Sequence, residues 1–586
     1  MGKETIRFIG GSPREISTLF LNWQGGWVGI PEWTHGILFW RNENSHTGEI
    51  YEDLNKLKTL GYPVSAIWID NPWETARNTF VIDKNRFPGI EDLLDELKKE
   101  GVEIFLWISN HINLPSAETL DRSSLIPVLK EVQREKLYVT NEDGSPLIAP
   151  WGSGLGYILN FTNESLLPWL EKKVLPLFSM GFKGWKLDYG EDIVPWVLFP
   201  GVSQKARLKE GDPLYAHAIY KRAYHRSFSE LTRKYHPDGF LLSRSGGFGE
   251  PSLTNCLWPG DIDNNLAFPT LLYDPGEPGE FSTYHPSPYI HSPGGLPTAI
   301  LATLHLSLSG VPCLATDTGG FRGGTPSPLP FLRWAQFSAY QPVMQIGGAG
   351  DHRPWSPVFE TPLFPAEEII RFYAREHLLW YPYLLSYIEK AQEGKDLIVY
   401  PALYDHPSAP WIPENHFLYY LGREILVRPI VEEKQPTKVE LPSGKWVEFF
   451  TGTKEEGRIE KIYPYDRIGL WLKGGTALPR LKEIPEKVNR ENLLKGVDLE
   501  LYFTPLFGGE KWSLKSSYFS VEVNPATDTV TVTVSPPSFL KISLGVSGCV
   551  EGGTVEGEDG GQISLPPSGW VSFPRKVKKA VIRCFR

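Results

Sequence analysis

Cysteine is scarce in this chain: Cys256, Cys313, Cys549 and Cys584 are the only four in 586 residues. That scarcity excludes a disulfide-stapled scaffold, and no CxxC or His/Cys cluster has metal-site spacing. Free, buried thiols are expected. No apolar run reaches the roughly 18 residues of a membrane span, so no membrane partner is expected. Basic residues do not dominate either. Lys and Arg number 59 against 69 Asp and Glu, a formal net charge of -10, which argues against nucleic acid as a partner. The start, Met1-Gly2-Lys3-Glu4-Thr5, lacks the basic and then apolar pattern of a secretory leader, and a cytoplasmic location is the expectation. Phosphate loops and dinucleotide fingerprints are also missing, so no cofactor is expected.

What the chain has in quantity is length and aromatic surface. Its 586 residues exceed one hydrophobic core, so two to four domains are expected. The 20 Trp, 25 Tyr and 30 Phe suit stacking against the C–H faces of sugars, and equally suit large aromatic cores. From about Gly36 to Leu385, β-rich runs alternate with helical patterns. Val64 to Asp70, Val102 to Ile108, Trp185 to Leu187, Gly239 to Arg244 and Val311 to Asp317 read as strands. Between them, Glu91 to Lys99 (stopped by Gly101), Leu167 to Phe182, Tyr220 to Tyr235 and Ala299 to Ser309 read as helices. This alternation predicts an α/β fold, a (β/α)8 barrel. After about Lys395 the helical period gives way to short strands such as Trp446 to Phe450 and the alternating Thr529 to Val534, which predict C-terminal β-sandwich modules. The expected division is a barrel with a short N-terminal extension at 1–392, a proximal module at 393–480 and a distal one at 481–586. A Pro/Gly/Ser/Tyr-rich stretch, Tyr273 to Leu296, reads as a long loop.

Several of these runs, and the strand-end-like segment Trp258-Pro259-Gly260-Asp261, lead into acids: Asp70, Asp188, Asp261 and Asp317. In a barrel the C-terminal rim is where chemistry sits, and paired carboxylates on one rim are the equipment of a glycosidase. Singly, each acid could equally cap a helix or pair with a surface lysine. Glu191 reads as a structural partner of an arginine or a loop cap.

The motifs now extend the argument. Ile67-Trp68-Ile69-Asp70, Trp107-Ile108-Ser109-Asn110, Asn160-Phe161-Thr162-Asn163, Lys186-Leu187-Asp188-Tyr189-Gly190-Glu191, Ser243-Arg244-Ser245, Trp258-Pro259-Gly260-Asp261 and Asp317-Thr318-Gly319-Gly320-Phe321 occur in order. Together they resemble glycoside hydrolase family 31, the retaining α-glycosidases, over roughly Pro31 to Leu478. The resemblance implies a carbohydrate substrate, with Asp188 as nucleophile and Asp261 as acid/base. It implies sugar contacts from Asp70, Asp317, Lys186 and Arg244, and an apolar shield from Trp258. Trp68, Trp73, Trp107 and Trp185 are candidates for aromatic walls, with core packing as the rival role of each. The KxDYGE form is closer to the branch with α-xylosidases and sulfoquinovosidases than to the α-glucosidase form. An α-galactosidase, a transglycosylase and a catalytically silent carbohydrate-binding protein are the alternatives, and homo-oligomerisation stays open.

Three departures stand out. The family's N-terminal β-sandwich is expected to be missing. Gly347 stands where a sugar-binding His is expected, which predicts open space beside the sugar ring, with His352 the nearby candidate substitute. The Tyr273 to Leu296 stretch reads as an insertion after the acid/base strand; Tyr284, His285, Tyr289 or His291 is expected to reach the sugar and refill that space.

Overall fold

The computed structural model describes residues 9–115, 122–141, 143–151, 154–191, 197–199, 202–204, 213–271, 290–405, 413–433, 435–489, 492–493, 499–504, 511–524, 529–545, 550–557, 562–565 and 571–584. Eight strands form the expected barrel: β1 (Ile37–Arg41), β2 (Val64–Ile69), β3 (Glu103–Ile108), β4 (Gly184–Leu187), β5 (Phe240–Ser243), β6 (Cys256–Leu257), β7 (Asp317–Thr318) and β8 (Met344–Ile346). Every neighbouring pair in the order β6-β5-β4-β3-β2-β1-β8-β7 is parallel. A parallel bridge from Leu257 to Leu314, flanked by Leu257 N–H to Cys313 O and Ala315 N–H to Leu257 O, joins β6 to the approach of β7 and closes the ring.

Local chemistry explains the units. In the helix Ile90–Glu100, Ile90, Leu93, Leu94 and Leu97 form the buried stripe. Glu91 and Asp92 sit in its first turn and Lys98 and Lys99 in its last, each complementing the helix dipole. Gly101 ends it with φ 72, a left-handed value that favours glycine. Strand β2 is buried on both faces, as a barrel strand under a helical shell must be. The run Val311 to Asp317 is extended, but only its end, Asp317–Thr318, pairs as a strand.

That closure corrects the expectation of free thiols throughout. Cys256 and Cys313, 57 residues apart in sequence, lie on adjoining segments with Cα atoms 4.8 Å apart and are paired as a disulfide. Sequence spacing held no sign of this, because barrel closure is what brings them together.

Beyond the helix Tyr381–Gln392 the chain turns to mainly antiparallel sheet, with one parallel pair, Leu499–Phe503 beside Thr529–Gly545. One sheet orders the strands 399–401, 419–421, 425–428, 469–473, 446–448 and 454–455. The next begins with Ala477–Leu481 paired to Leu499–Phe503, slightly ahead of residue 481. A buried ion pair ties it to the barrel: Arg480 meets Glu376 of the helix Ala366–Leu379 at 2.7 Å. No helix among the described residues is long and apolar enough to cross a membrane.

Candidate active site

Neighbouring residues on a strand point to opposite faces, and that parity sorts the rim. On β4, Lys186 and Asp188 point inward. Trp185 points outward, against Phe178 and Phe228 of the helical shell, at ring separations of 5.7 and 5.4 Å. Trp185 is therefore core packing and not a pocket wall, a correction that its neighbour Lys186 already implied.

The ammonium of Lys186 lies over three indoles, Trp40 at 4.4 Å, Trp68 at 4.3 Å and Trp258 at 4.5 Å. Each is a cation–π contact, strengthened here because the lysine is buried. Trp40 and Trp68 are register partners on β1 and β2 and stack at 4.2 Å. Around this floor stand the acids. Burial is the leading cause in each case. It raises Asp70 to about 8, with Lys186 pulling down and Asp188 and Asp317 pushing up. It raises Asp317 to about 7, against the same lysine. Neither carboxyl oxygen of Asp317 has a hydrogen-bond partner within the described protein, nor do the indole nitrogens of Trp40, Trp68 and Trp258. Open groups that face one pocket leave donors and acceptors there for a polar ligand or for water.

Asp188 is held by three donors. Trp107 Nε1–H reaches Oδ2 at 2.9 Å, and the Tyr189 backbone N–H reaches Oδ1 at 2.8 Å. The Arg244 guanidinium meets Oδ1 at 2.9 Å and continues to Glu191 at 2.5 Å, the arginine partnership expected for that glutamate. Trp107 is braced from behind, where Trp73 Nε1–H donates to its carbonyl at 2.7 Å. Asp261 is open to solvent from the mouth of the barrel, yet protein crowds it on the remaining sides. That crowding raises its pKa first and the Asp188 charge raises it further, opposed by Arg244, Lys186 and Arg322. Asp70, Asp188, Asp261 and Asp317 therefore converge on one electrostatic site.

Two expectations about the pocket edge change. Gly347, ending β8, does not open space: a Cβ there would lie 2.3 Å from Trp40 Nε1, with further ring atoms at 2.4 and 2.5 Å. Trp40 fills the volume, and nothing distinguishes it in sequence at the end of the apolar run Ile37 to Trp40. His352 is buried, and its Nε2–H donates to the Gly320 carbonyl at 2.8 Å. Burial lowers its pKa to about 4, so a neutral imidazole braces the turn after β7. Of the inserted stretch, Tyr284, His285 and Tyr289 lie outside the described residues. His291 falls in a short strand, Ile290–Ser292, that pairs antiparallel with Thr270–Leu271 and brings the two ends of the stretch together. Ser292 donates from this base to Asp263, two residues past Asp261.

Two outcomes are expected. Gly347→Ala should destabilise the protein by about 1–3 kcal/mol through overpacking, and cost little in a Trp40→Ala background. Denaturation midpoints of the four proteins in that cycle measure the coupling. Asp317→Asn should be more stable than the parent at neutral and alkaline pH. Its carboxyl titrates near 7 when folded against about 3.9 when unfolded, so the parent loses stability as pH rises from about 4 and levels off above 7. Thermal midpoints should converge near pH 4 and separate by pH 8, and a constant separation would contradict this.

Comparison with known proteins agrees with this geometry. The family model described as glycosyl hydrolases family 31 TIM-barrel domain matches residues 28–269 and 292–387, and the family 31 C-terminal domain model matches 395–478. The interval between the two matched parts of the barrel, 270–291, takes in the paired strands Thr270–Leu271 and Ile290–Ser292 up to residue 291. Among curated relatives, an alpha-glucosidase 2 of Bacillus thermoamyloliquefaciens is 22% identical over 510 residues, 83% of this chain and 59% of that protein. An alpha-xylosidase of Lactiplantibacillus pentosus is 23% identical over 474 residues, 79% of this chain and 54% of that protein. This chain thus spans little more than half the length of those relatives. A Flavobacterium johnsoniae family 31 dextranase solved with glucose superposes with a TM-score of 0.76 at 18% identity, covering 99% of this chain and 74% of that one, which establishes the shared fold. The two matched domain models cover well over half of the chain, and the chain belongs to glycosyl hydrolase family 31.

Proposed function

We propose that this protein is a retaining α-glycosidase acting on a terminal α-linked sugar, with Asp188 as nucleophile and Asp261 as acid/base. The observation that carries the reading is the contrast between the two carboxyls. Asp188 is oriented by three donors, from Trp107, Tyr189 and Arg244. Asp261 has its pKa raised by desolvation and by Asp188 itself. Two carboxyls with opposed environments divide naturally into nucleophile and acid.

In the first step an Asp188 oxygen attacks the anomeric carbon while the bond to the exocyclic oxygen breaks. The Asp261 proton passes to that leaving oxygen. In the second, Asp261, now a base, takes a proton from water. The water oxygen bonds to the anomeric carbon, the ester to Asp188 breaks, and configuration is retained. Asp70 and Asp317 receive hydrogen bonds from sugar hydroxyls, and Lys186 sets the charge of the pocket floor. For location, the Cys256–Cys313 pair favours an oxidising compartment over the cytoplasm, since disulfides concentrate in such compartments.

A panel of aryl α-glycosides identifies the glycone, and NMR of the first product formed should show the α-anomer. With an activated aryl leaving group, azide should accelerate turnover by Asp261→Ala and yield the α-glycosyl azide from the β-glycosyl-enzyme, whereas any azide product of Asp188→Ala should be the β-azide of a single direct displacement. A first-formed β-product would reject retention. An α-azide formed by Asp188→Ala and not by Asp261→Ala would reverse the roles.

A further inference from the structure

The turn after Asp188 is strained where the site most needs accuracy. Tyr189 has φ 59, a left-handed conformation uncommon for a residue with a side chain, and Gly190 follows with φ 94. This turn puts the Tyr189 N–H on Asp188 and its ring 4.4 Å from the Arg244 guanidinium, which in turn bridges Asp188 and Glu191. Strain of this kind persists only where surrounding structure enforces it.

We propose that Ser245, His225 and Glu250 form a buried clamp on this turn and are positioning residues for Asp188 and Arg244. The proposal rests on the assignment of Asp188 as nucleophile. Ser245 Oγ–H donates to the Tyr189 carbonyl at 2.9 Å. The same oxygen lies 3.4 Å from His225 Nε2, and His225 Nδ1 lies 2.6 Å from Glu250 Oε2. A Cβ on Gly190 would stand only 2.7 Å from Ser245 Oγ, so the hydroxyl packs directly on the turn.

Proton counting gives the chain a direction. A carbonyl oxygen only accepts, so the Ser245 hydroxyl hydrogen is committed to Tyr189. The contact at Nε2 is then filled by a ring N–H donating to Oγ. Across Nδ1 and Oε2 one further proton is shared, whichever atom carries it. The links run Glu250, His225, Ser245, Tyr189 carbonyl, and they join three separate elements. His225 belongs to the helix Pro213–Tyr235, Glu250 opens the short 3-10 helix before β6, and Ser245 follows Arg244 at the end of β5. His225 and Glu250 have side chains only 0% and 1% exposed. A pair so fully desolvated gains little stability over apolar residues of similar volume. Its use is geometric. The same helix adds Tyr224, whose hydroxyl donates to the Asp188 carbonyl at 3.2 Å, and Lys221, which donates to the Gly246 carbonyl at 2.9 Å.

The test uses the full chain and an activated aryl α-glycoside from the panel. Ser245→Ala removes only the hydroxyl. His225→Phe/Glu250→Met replaces the pair by apolar residues, so that no lone charge is left buried. Both should keep the parent's thermal midpoint to within a few degrees and the inhibition constant of the free monosaccharide to within about twofold, while kcat falls about tenfold to a hundredfold, the usual result of misplacing a reacting group. The fall should be similar for activated and poor leaving groups, unlike that of Asp261→Ala, which spares activated ones. Unchanged kcat in either folded variant overturns the clamp, and so does an unfolded Ser245→Ala, which would make the hydroxyl a stability determinant. Asp188→Ala separates the two levels: if it is inactive and the clamp variants are fully active, the clamp alone fails. If Asp188→Ala is itself active, the site assignment fails and the clamp with it.

Discussion

Burying carboxyls at the mouth of a barrel is costly, and the Lys186 ammonium is the interaction that makes this arrangement tenable. It opposes desolvation at Asp70, Asp261 and Asp317 together. The lysine is itself removed from water, and the faces of Trp40, Trp68 and Trp258 supply part of the solvation that it lost. Four acids thus share one buried cation on the floor and one guanidinium, Arg244, nearer the mouth. The balance leaves Asp70 and Asp317 titrating near neutrality, a state that hydrogen bonds from a polyhydroxylated ligand would shift towards the carboxylate.

The rim also has an asymmetry. On the β4–β5 side, the Tyr189 turn, Arg244 and the buried Ser245–His225–Glu250 chain make a rigid support for Asp188. On the β6 side, Asp261 stands beside the base of a stretch that the family model skips, joined to it through Ser292 and Asp263. The Arg322 carbonyl accepts from Asn264 N–H at 3.0 Å and its side chain approaches Asp263 at 3.6 Å, so the turn after β7 and the segment after β6 are tied together. Asp188 is thereby held by groups of the barrel frame, whereas Asp261 stands beside the paired ends of an interval that the family model does not match.

Much of this was legible from local pattern. The buried stripe of Ile90–Glu100, its charged ends and Gly101 fix that helix without reference to any other element, and the β-rich runs ending in Asp70 and Asp188 locate the rim. Strand parity would also have separated Lys186 from Trp185. What local pattern does not carry is contact across the ring. The Cys256–Cys313 pair, the Trp40 indole occupying the space beside Gly347, and the link from His225 to Ser245 each join residues whose adjacency exists only after the barrel closes. The glycine at 347 illustrates the difference: read alone it signals room, and read against β1 it signals that another side chain already occupies the place.

The most direct measurement is to trap the intermediate. A fluorinated glycosyl fluoride of the preferred glycone slows the second step more than the first, so the enzyme should accumulate as a covalent ester. Intact mass spectrometry should then show one added glycosyl group, and peptide mapping should place it on Asp188 within the segment Gly184 to Glu191. A label on Asp261, or complete inactivation with no covalent adduct, would contradict the account.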